Sequence, residues 1–148
     1  MQIGVETSRA LENKRVFVVD SDEVTRAALQ FILHDENETH ELAGLEEAFA
    51  RSEGRRVDLL LLGSAIVEEK GMGVLGEAKA GLPGSKVLVV MKGAATDAST
   101  KEFAQRCTSA GADGVLLKPF TVESVRQRVD NILGRRIAGP MVALSSLR

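Results

Sequence analysis

Side chains that could do chemistry follow the apolar runs of this chain. Asp20 and Asp22 come directly after the first run, and Lys118 comes directly after the last. Carboxylate oxygens are the ligands that hard cations such as Mg²⁺ prefer, and a lysine supplies a compact positive charge. Gly63 follows the apolar run at residues 57–62 and has no side chain, so no covalent chemistry can start from it. The residues therefore predict a crevice with charged walls and no nucleophile at Gly63.

The two acids also have a simpler interpretation, as the beginning of a helix. Ser21 and Asp22 are both residue types that cap helix N-termini, and acidic side chains in a first turn suit the helix dipole. We favour this interpretation over cation binding. Mg²⁺ binding is therefore doubtful, and no cofactor is predicted.

Composition indicates a single globular domain. The 148 residues are 44% hydrophobic and 27% charged, with a net charge of −2, so there is no basic excess of the kind that marks nucleic-acid binding. No apolar run approaches membrane-spanning length. Cys107 is the one cysteine of the chain, which excludes an intramolecular disulfide. We predict a cytoplasmic protein that binds neither nucleic acid nor membrane.

Short apolar runs predict the strands that position these residues. They cover residues 16–19, 57–62, 87–91 and 115–117, and a weaker strand is expected at 39–43. Nearly continuous apolar runs are typical of strands covered on both faces, as in a parallel sheet. Helix-period segments alternate with them, and right-handed crossovers place those helices on both faces. The predicted fold is α/β, a flavodoxin-like (βα)5 domain with a doubly wound five-stranded parallel sheet.

The helical segments give further expectations. The last helix is expected to begin at Thr121 and to end at Gly134. The predicted domain covers residues 14–134, with an arm at 1–13 and a tail at 135–148 whose apolar part is 141–147. The buried face of the first helix is expected to consist of Val24, Ala28, Phe31 and Ile32.

Three short motifs, in order on this pattern, resemble the receiver (CheY-like) domain of two-component response regulators. They are residues 18–20, residues 110–113 and the triplet Lys118-Pro119-Phe120. The resemblance covers residues 14–133 and implies a role in bacterial phosphorelay-type signalling. It also implies Mg²⁺ on an acidic pair after strand one and a phosphoryl group on an aspartate after strand three. A Ser or Thr after strand four and a lysine after strand five would bond that group.

Only part of that set is kept in this sequence. Asp20 and Lys118 match the family pattern. Lys118-Pro119 resembles the family's cis peptide, but cis is the minority state of an X–Pro bond, so the sequence leaves the isomer open. Gly71 matches a glycine at the start of the family's third helix, which implies a loop at residues 64–70. The replaced positions are the second acid (Ser21), the phospho-acceptor (Gly63), the Ser/Thr (Met91) and the aromatic switch residue (Val115). The resemblance, with these departures, predicts a degenerate pseudo-receiver, and Met91 and Val115 are its switch-like positions.

No neighbouring carboxylate replaces the missing aspartate. Asp58 lies five residues before Gly63, at the far end of the strand and on its opposite face by the two-residue strand period. Lys118, with no phosphoryl group to meet, is expected to pair with Asp20.

Three functions remain open. The first is a receiver-like domain that is not phosphorylated on aspartate and acts by protein–protein contact, with another signalling protein or with a second copy. The resemblance implies contact through residues 99–133, where the expected interaction residues are Phe103, Asp113, Lys118, Pro119, Phe120 and Arg126. The second is a small-ligand site in an emptied crevice, and the third is a stand-alone response regulator with atypical phosphorylation. An enzyme is not predicted, because no nucleophile–base pair or phosphate loop is visible.

Overall fold

Five parallel strands form the sheet that carries the site. In a computed structural model, which describes residues 14–135, their spatial order is β2-β1-β3-β4-β5. The strands are β1 (Lys14–Val19), β2 (Asn37–Leu42), β3 (Leu59–Gly63), β4 (Lys86–Lys92) and β5 (Gly114–Lys118). The predicted fold class is confirmed. The predicted arm and all but the first residue of the predicted tail lie outside the described residues.

Helices cover both faces of this sheet. The described residues form α1 (Glu23–Leu33), α2 (Leu45–Arg51), α3 (Ser64–Lys70), α4 (Gly73–Gly81), α5 (Ala98–Ser109) and α6 (Val122–Leu133). Leu29 of α1 and Val125 of α6 pack in one core cluster, while Leu45 of α2 and Leu75 of α4 belong to the other. The first layer therefore contains α1 and α6, and the second contains α2 to α5.

The central strands divide their side chains between these layers. Val16 and Val18 face the layer of α1 and α6, whereas Phe17 and Val19 face the layer of α2 to α5. All of them are fully buried, as expected for a parallel strand with a helix layer on each side. This two-sided burial fixes the strand ends at which the crevice forms.

The predicted buried face of α1 is wrong in part. Ile32 is buried, but Val24 and Phe31 expose 76% and 71% of their surface, and Ala28 is half-buried. The buried residues are Thr25, Leu29, Ile32 and Leu33. The physical reason is that apolar residues lie on both sides of this helix, so periodicity alone does not select the side that meets the sheet.

The segment predicted as a loop after β3 is a helix. Residues 64–70 form α3, whose Ile66 and Val67 are buried against the second layer. Gly71 ends the helix with φ of 92°, a conformation that is costly for other residues. Gly63 is the N-cap, so the helix begins directly after the last residue of β3.

The expected ends of the last helix are confirmed. The Thr121 hydroxyl accepts from the Ser124 amide, and the Ser124 hydroxyl donates to the Thr121 carbonyl and accepts from the Thr121 amide. Gly134 adopts the left-handed conformation that ends α6. Both ends of α6 are thus determined by local sequence, which keeps its N-terminus beside Lys118-Pro119-Phe120.

Candidate functional site

The crevice lies at the carboxyl ends of β1, β3, β4 and β5. Parallel pairing aligns Val19 with Leu62, Gly63 with Val90 and Lys92 with Lys118. Asp20, Gly63, Met91 and Lys118 are therefore brought to one edge of the sheet, at the point where the chain order reverses between β1 and β3. The structure thus brings these four sequence-predicted residues together at the strand ends.

The Asp20 carboxylate occupies the space that a side chain at Gly63 would need. A Cβ at Gly63 would lie 2.5 Å from Asp20 Cγ and Oδ2 and 2.7 Å from Oδ1. Asp20 is only 4% exposed, and its Oδ1 accepts the Asp22 amide at 2.8 Å. Its carbonyl oxygen accepts Arg26 Nη1 at 2.7 Å. The missing side chain of Gly63 is thus what allows Asp20 to turn into the crevice floor.

Lys118 does not make the expected pair with Asp20. Its Nζ donates to Thr25 Oγ1 at 3.1 Å and lies 3.9 Å from Asp22 Oδ2. Asp20 is turned towards Gly63, so the first turn of α1 offers the nearer oxygens. The expectation was wrong because it ignored the side chains that α1 presents to the crevice.

Asp22 is the N-cap of α1, which confirms the helix-start interpretation. Its Oδ1 accepts the Val24 amide at 3.2 Å, and its Oδ2 accepts the Thr25 hydroxyl at 2.6 Å. That hydroxyl bond is the main reason why the pKa of Asp22 lies below its usual value. Thr25 links Asp22 to Lys118 and was missed from the sequence. Its place three residues after an N-cap aspartate was the available signal.

The remaining predicted crevice residues supply no buried polar group. Met91 is 5% exposed at the end of β4, and Val115 is half-buried against the core of the second layer. Ser21 is exposed at the rim. The switch-like positions are therefore apolar and part of the core packing.

The oxygen donors of the crevice do not fit a magnesium ion. Asp20 already accepts a backbone amide, and both Asp22 oxygens serve the start of α1. Between residues 14 and 135, no group of three or more His, Cys, Asp or Glu side chains is placed to hold a metal. The family pattern uses an acidic pair and an acceptor aspartate, and Ser21 and Gly63 stand at two of these three positions. The disagreement with the family pattern therefore lies in the donor set itself.

Asp58 lies away from the crevice, as expected. Its Oδ2 accepts the Arg15 amide at 2.9 Å at the start of β1, and its own amide donates to the Arg15 carbonyl. This contact fixes the amino end of the sheet. Asp58 therefore serves the fold and is not a substitute for the missing acceptor.

Not all of the expected interaction residues lie on the surface shared by α5, β5 and α6. Phe103 and Phe120 are half-buried on opposite core layers, and Pro119 is exposed after a cis Lys118–Pro119 peptide. Arg126 instead donates to the Ile32 carbonyl at 3.3 Å, which turns its guanidinium towards α1. The surface that α5, β5 and α6 share therefore includes Pro119 but not the head group of Arg126.

Asp113 has a structural partner on each side. Its Oδ2 accepts the Val87 amide at 2.8 Å and Lys79 Nζ at 2.7 Å. Partial burial acts against its charge, but these two hydrogen bonds outweigh it and lower the pKa of Asp113. Asp113 thus joins β4, α4 and the start of β5.

The sheet order, the crevice and the cis peptide define an α/β domain of the receiver type. Residues 16–130 match the response regulator receiver domain family, and the chain belongs to that family, the receiver part of two-component response regulators. No helix among residues 14–135 is both long and apolar enough to cross a membrane.

Solved structures share this fold, and a curated relative is similar to part of the sequence. A response regulator from Thermotoga maritima superposes with a TM-score of 0.70 at 25% identity, over 82% of this chain and 98% of the other. A CheY-like receiver domain protein from Methanospirillum hungatei JF-1 gives 0.67 at 24% identity, over 82% and 94%. A cyclic di-GMP phosphodiesterase of Thermotoga maritima is 29% identical over 123 residues. That match covers 82% of this chain, which spans only 32% of the relative.

Proposed function

We propose that this chain is a pseudo-receiver, which signals through protein–protein contact without phosphorylation on aspartate. The observation that carries the proposal is the Asp20 carboxylate, packed within the volume of a side chain at Gly63. A phosphoryl acceptor at Gly63 is missing, and the acid that would hold its cation fills the vacant place. The family chemistry requires both groups free and facing the same ion.

The basic side chain of the crevice is also held by the protein. Lys118 contacts Thr25 and Asp22 of α1, so its ammonium links β5 to the first turn of that helix. In the family pattern this lysine bonds the phosphoryl group, whereas here its contacts are within the protein and need no phosphate. The proposed output is therefore a surface of fixed shape, available without a phosphodonor.

Incubation with acetyl phosphate and Mg²⁺ tests the proposal. We expect intact mass spectrometry to find no stoichiometric adduct on the wild-type chain, because the acceptor position is Gly63 and the Asp20 carboxylate beside it is only 4% exposed. A receiver domain that retains its acceptor aspartate, treated in parallel, shows that the reagent is active. A hydroxylamine-labile adduct on this chain would contradict the proposal and favour atypical phosphorylation.

The small-ligand alternative gains no support from the crevice. The volume expected to be vacant contains the Asp20 carboxylate, which is 4% exposed. An apolar guest would have to displace or desolvate that group at high cost. We also propose a non-enzymatic role. The activity named for the phosphodiesterase relative belongs to a protein of which this chain spans 32%.

The proposed contact surface is the one shared by α5, β5 and α6, and the proposed partner is a signalling protein or a second copy. Val122 at the start of α6 is 43% exposed there. Where the wild-type chain self-associates, we expect Val122→Glu to sediment as a monomer, because an unpaired carboxylate is costly to bury in an interface. Val24→Glu, an exposed valine in the first turn of α1, is the matched control and should leave the dimer intact. Equal sedimentation of Val122→Glu and wild type would exclude this surface.

A further inference from the structure

Helix α1 presents an apolar stripe to solvent. Val24 and Phe31 expose 76% and 71% of their surface, and Ala27 between them is exposed as well. Spacings of three and four residues place these three on one side of the helix. Aligned exposed side chains, including a phenylalanine, form a patch of the kind that marks an interaction site. We call Val24, Ala27 and Phe31 the α1 stripe.

The last described residue contacts the turn that follows α1. Arg126 of α6 donates to the Ile32 carbonyl at 3.3 Å, and Arg135 Nη1 donates to the Glu36 carbonyl at 3.4 Å. The first contact joins α6 to the last turn of α1, and the second joins residue 135 to the turn after α1. The described part of the chain therefore stops within reach of the end of the helix that carries the α1 stripe.

The composition of residues 136–148 fits the α1 stripe. The segment carries Arg136 and Arg148 at its two ends and no acidic residue, and its larger apolar residues are Ile137, Met141, Val142, Leu144 and Leu147. Helix α1 has carboxylates at both ends: Asp22 is its N-cap and Glu23 its first residue, and Asp35 and Glu36 follow it. The arm at 1–13 has two glutamates and one arginine, so its charge suits this surface less well.

The segment is also long enough. The 11 residues of α1 span about 16 Å at about 1.5 Å per residue. Thirteen residues reach about 40 Å when extended and about 20 Å as a helix. From residue 135, the segment is therefore long enough to span α1.

We propose that residues 136–148 dock on the α1 stripe of the same chain and cover it. The helix that the segment would cover is the one whose first turn contacts Lys118 through Thr25 and Asp22. This contact would need no phosphoryl group. It is independent of the partner surface proposed for α5, β5 and α6.

Paramagnetic relaxation enhancement tests the docking. In a Cys107→Ser background, Ser146→Cys carries a nitroxide label on the full chain, and amide signals are followed by NMR. We expect selective broadening of amides in residues 24–31, unchanged on dilution, with the amides of α5 unaffected. A label at Ser8→Cys is the control for the arm at 1–13, and it should broaden α1 less.

Two matched variants sharpen the result. Phe31→Ser is expected to lower the ratio of docked to undocked segment about tenfold, because it removes a large apolar contact. Val122→Ser, which also truncates an exposed apolar side chain, should leave the broadening as it is. The proposal is overturned by an absence of broadening on α1, or by stronger broadening from the Ser8→Cys label. A mixing experiment can also overturn it: isotope-labelled chain without a nitroxide is mixed with chain that carries the nitroxide. Broadening of the isotope-labelled amides in that mixture would show that a second copy covers the stripe.

Discussion

The Gly63→Asp variant is expected to be less stable than the wild-type chain by about 2–4 kcal/mol and to remain unlabelled by acetyl phosphate. The new Cβ alone would lie 2.5 Å from the Asp20 carboxylate, so Asp20 must leave its place. Two carboxylates would then share a mostly buried site. Ser21 and Met91 also remain, so the other groups of the phosphoryl chemistry are still absent.

The cost of Gly63→Asp should depend on pH. Two like charges in one site raise the folded-state pKa of one carboxyl above its unfolded value of about 4. The folded variant then binds a proton more readily than the unfolded chain, so its stability rises as the pH falls towards that raised pKa. Urea unfolding at about pH 7.5 and pH 5 is expected to show a smaller difference from wild type at the lower pH.

Two companion variants separate the causes. Gly63→Ala adds the steric conflict without the charge and should cost less than Gly63→Asp at neutral pH. Asp20→Asn combined with Gly63→Asp removes one of the two charges and should recover part of the loss, which a double-mutant cycle measures. Wild-type stability of Gly63→Asp, or Mg²⁺-dependent labelling of it, would show that Asp20 already leaves room for a second acid.

Much of this site follows from the sequence, because strand ends are well marked. The continuous apolar runs fix the parallel strands, and parallel strands bring Asp20, Gly63, Met91 and Lys118 to one edge. What could not be predicted is the direction of two side chains. Asp20 turns towards Gly63, and Lys118 reaches Thr25, and both outcomes depend on contacts between segments far apart in the chain.

Helix α1 shows a second limit of the sequence. Apolar side chains lie on more than one face of this helix, and the face that is actually buried includes the polar Thr25. Thr25 is tolerated there because its hydroxyl bonds to Asp22 and receives Lys118. A pattern of hydrophobic residues cannot register that compensation, so the stripe containing Val24 and Phe31 was assigned to the core.

The two faces of α1 should differ sharply in their contribution to stability. Leu29→Ala is expected to lower the free energy of unfolding by about 2–5 kcal/mol. Leu29 is fully buried on the face of α1 that meets the sheet, and truncation of its side chain leaves a cavity. Phe31→Ala removes a larger side chain but should cost less than about 1 kcal/mol, since 71% of its surface is already exposed. Urea denaturation of both variants at neutral pH measures the difference.

The origin of the small stability loss expected for Phe31→Ala can be tested by deleting residues 136–148. If residues 136–148 cover the α1 stripe, Phe31→Ala weakens that contact, and its cost should vanish when the same substitution is made in a chain that lacks 136–148. The cost of Leu29→Ala should be the same with and without that segment, because the Leu29 side chain contacts the core of the first layer. A larger loss from Phe31→Ala than from Leu29→Ala would instead show that the buried face of α1 is the one that the periodicity predicts.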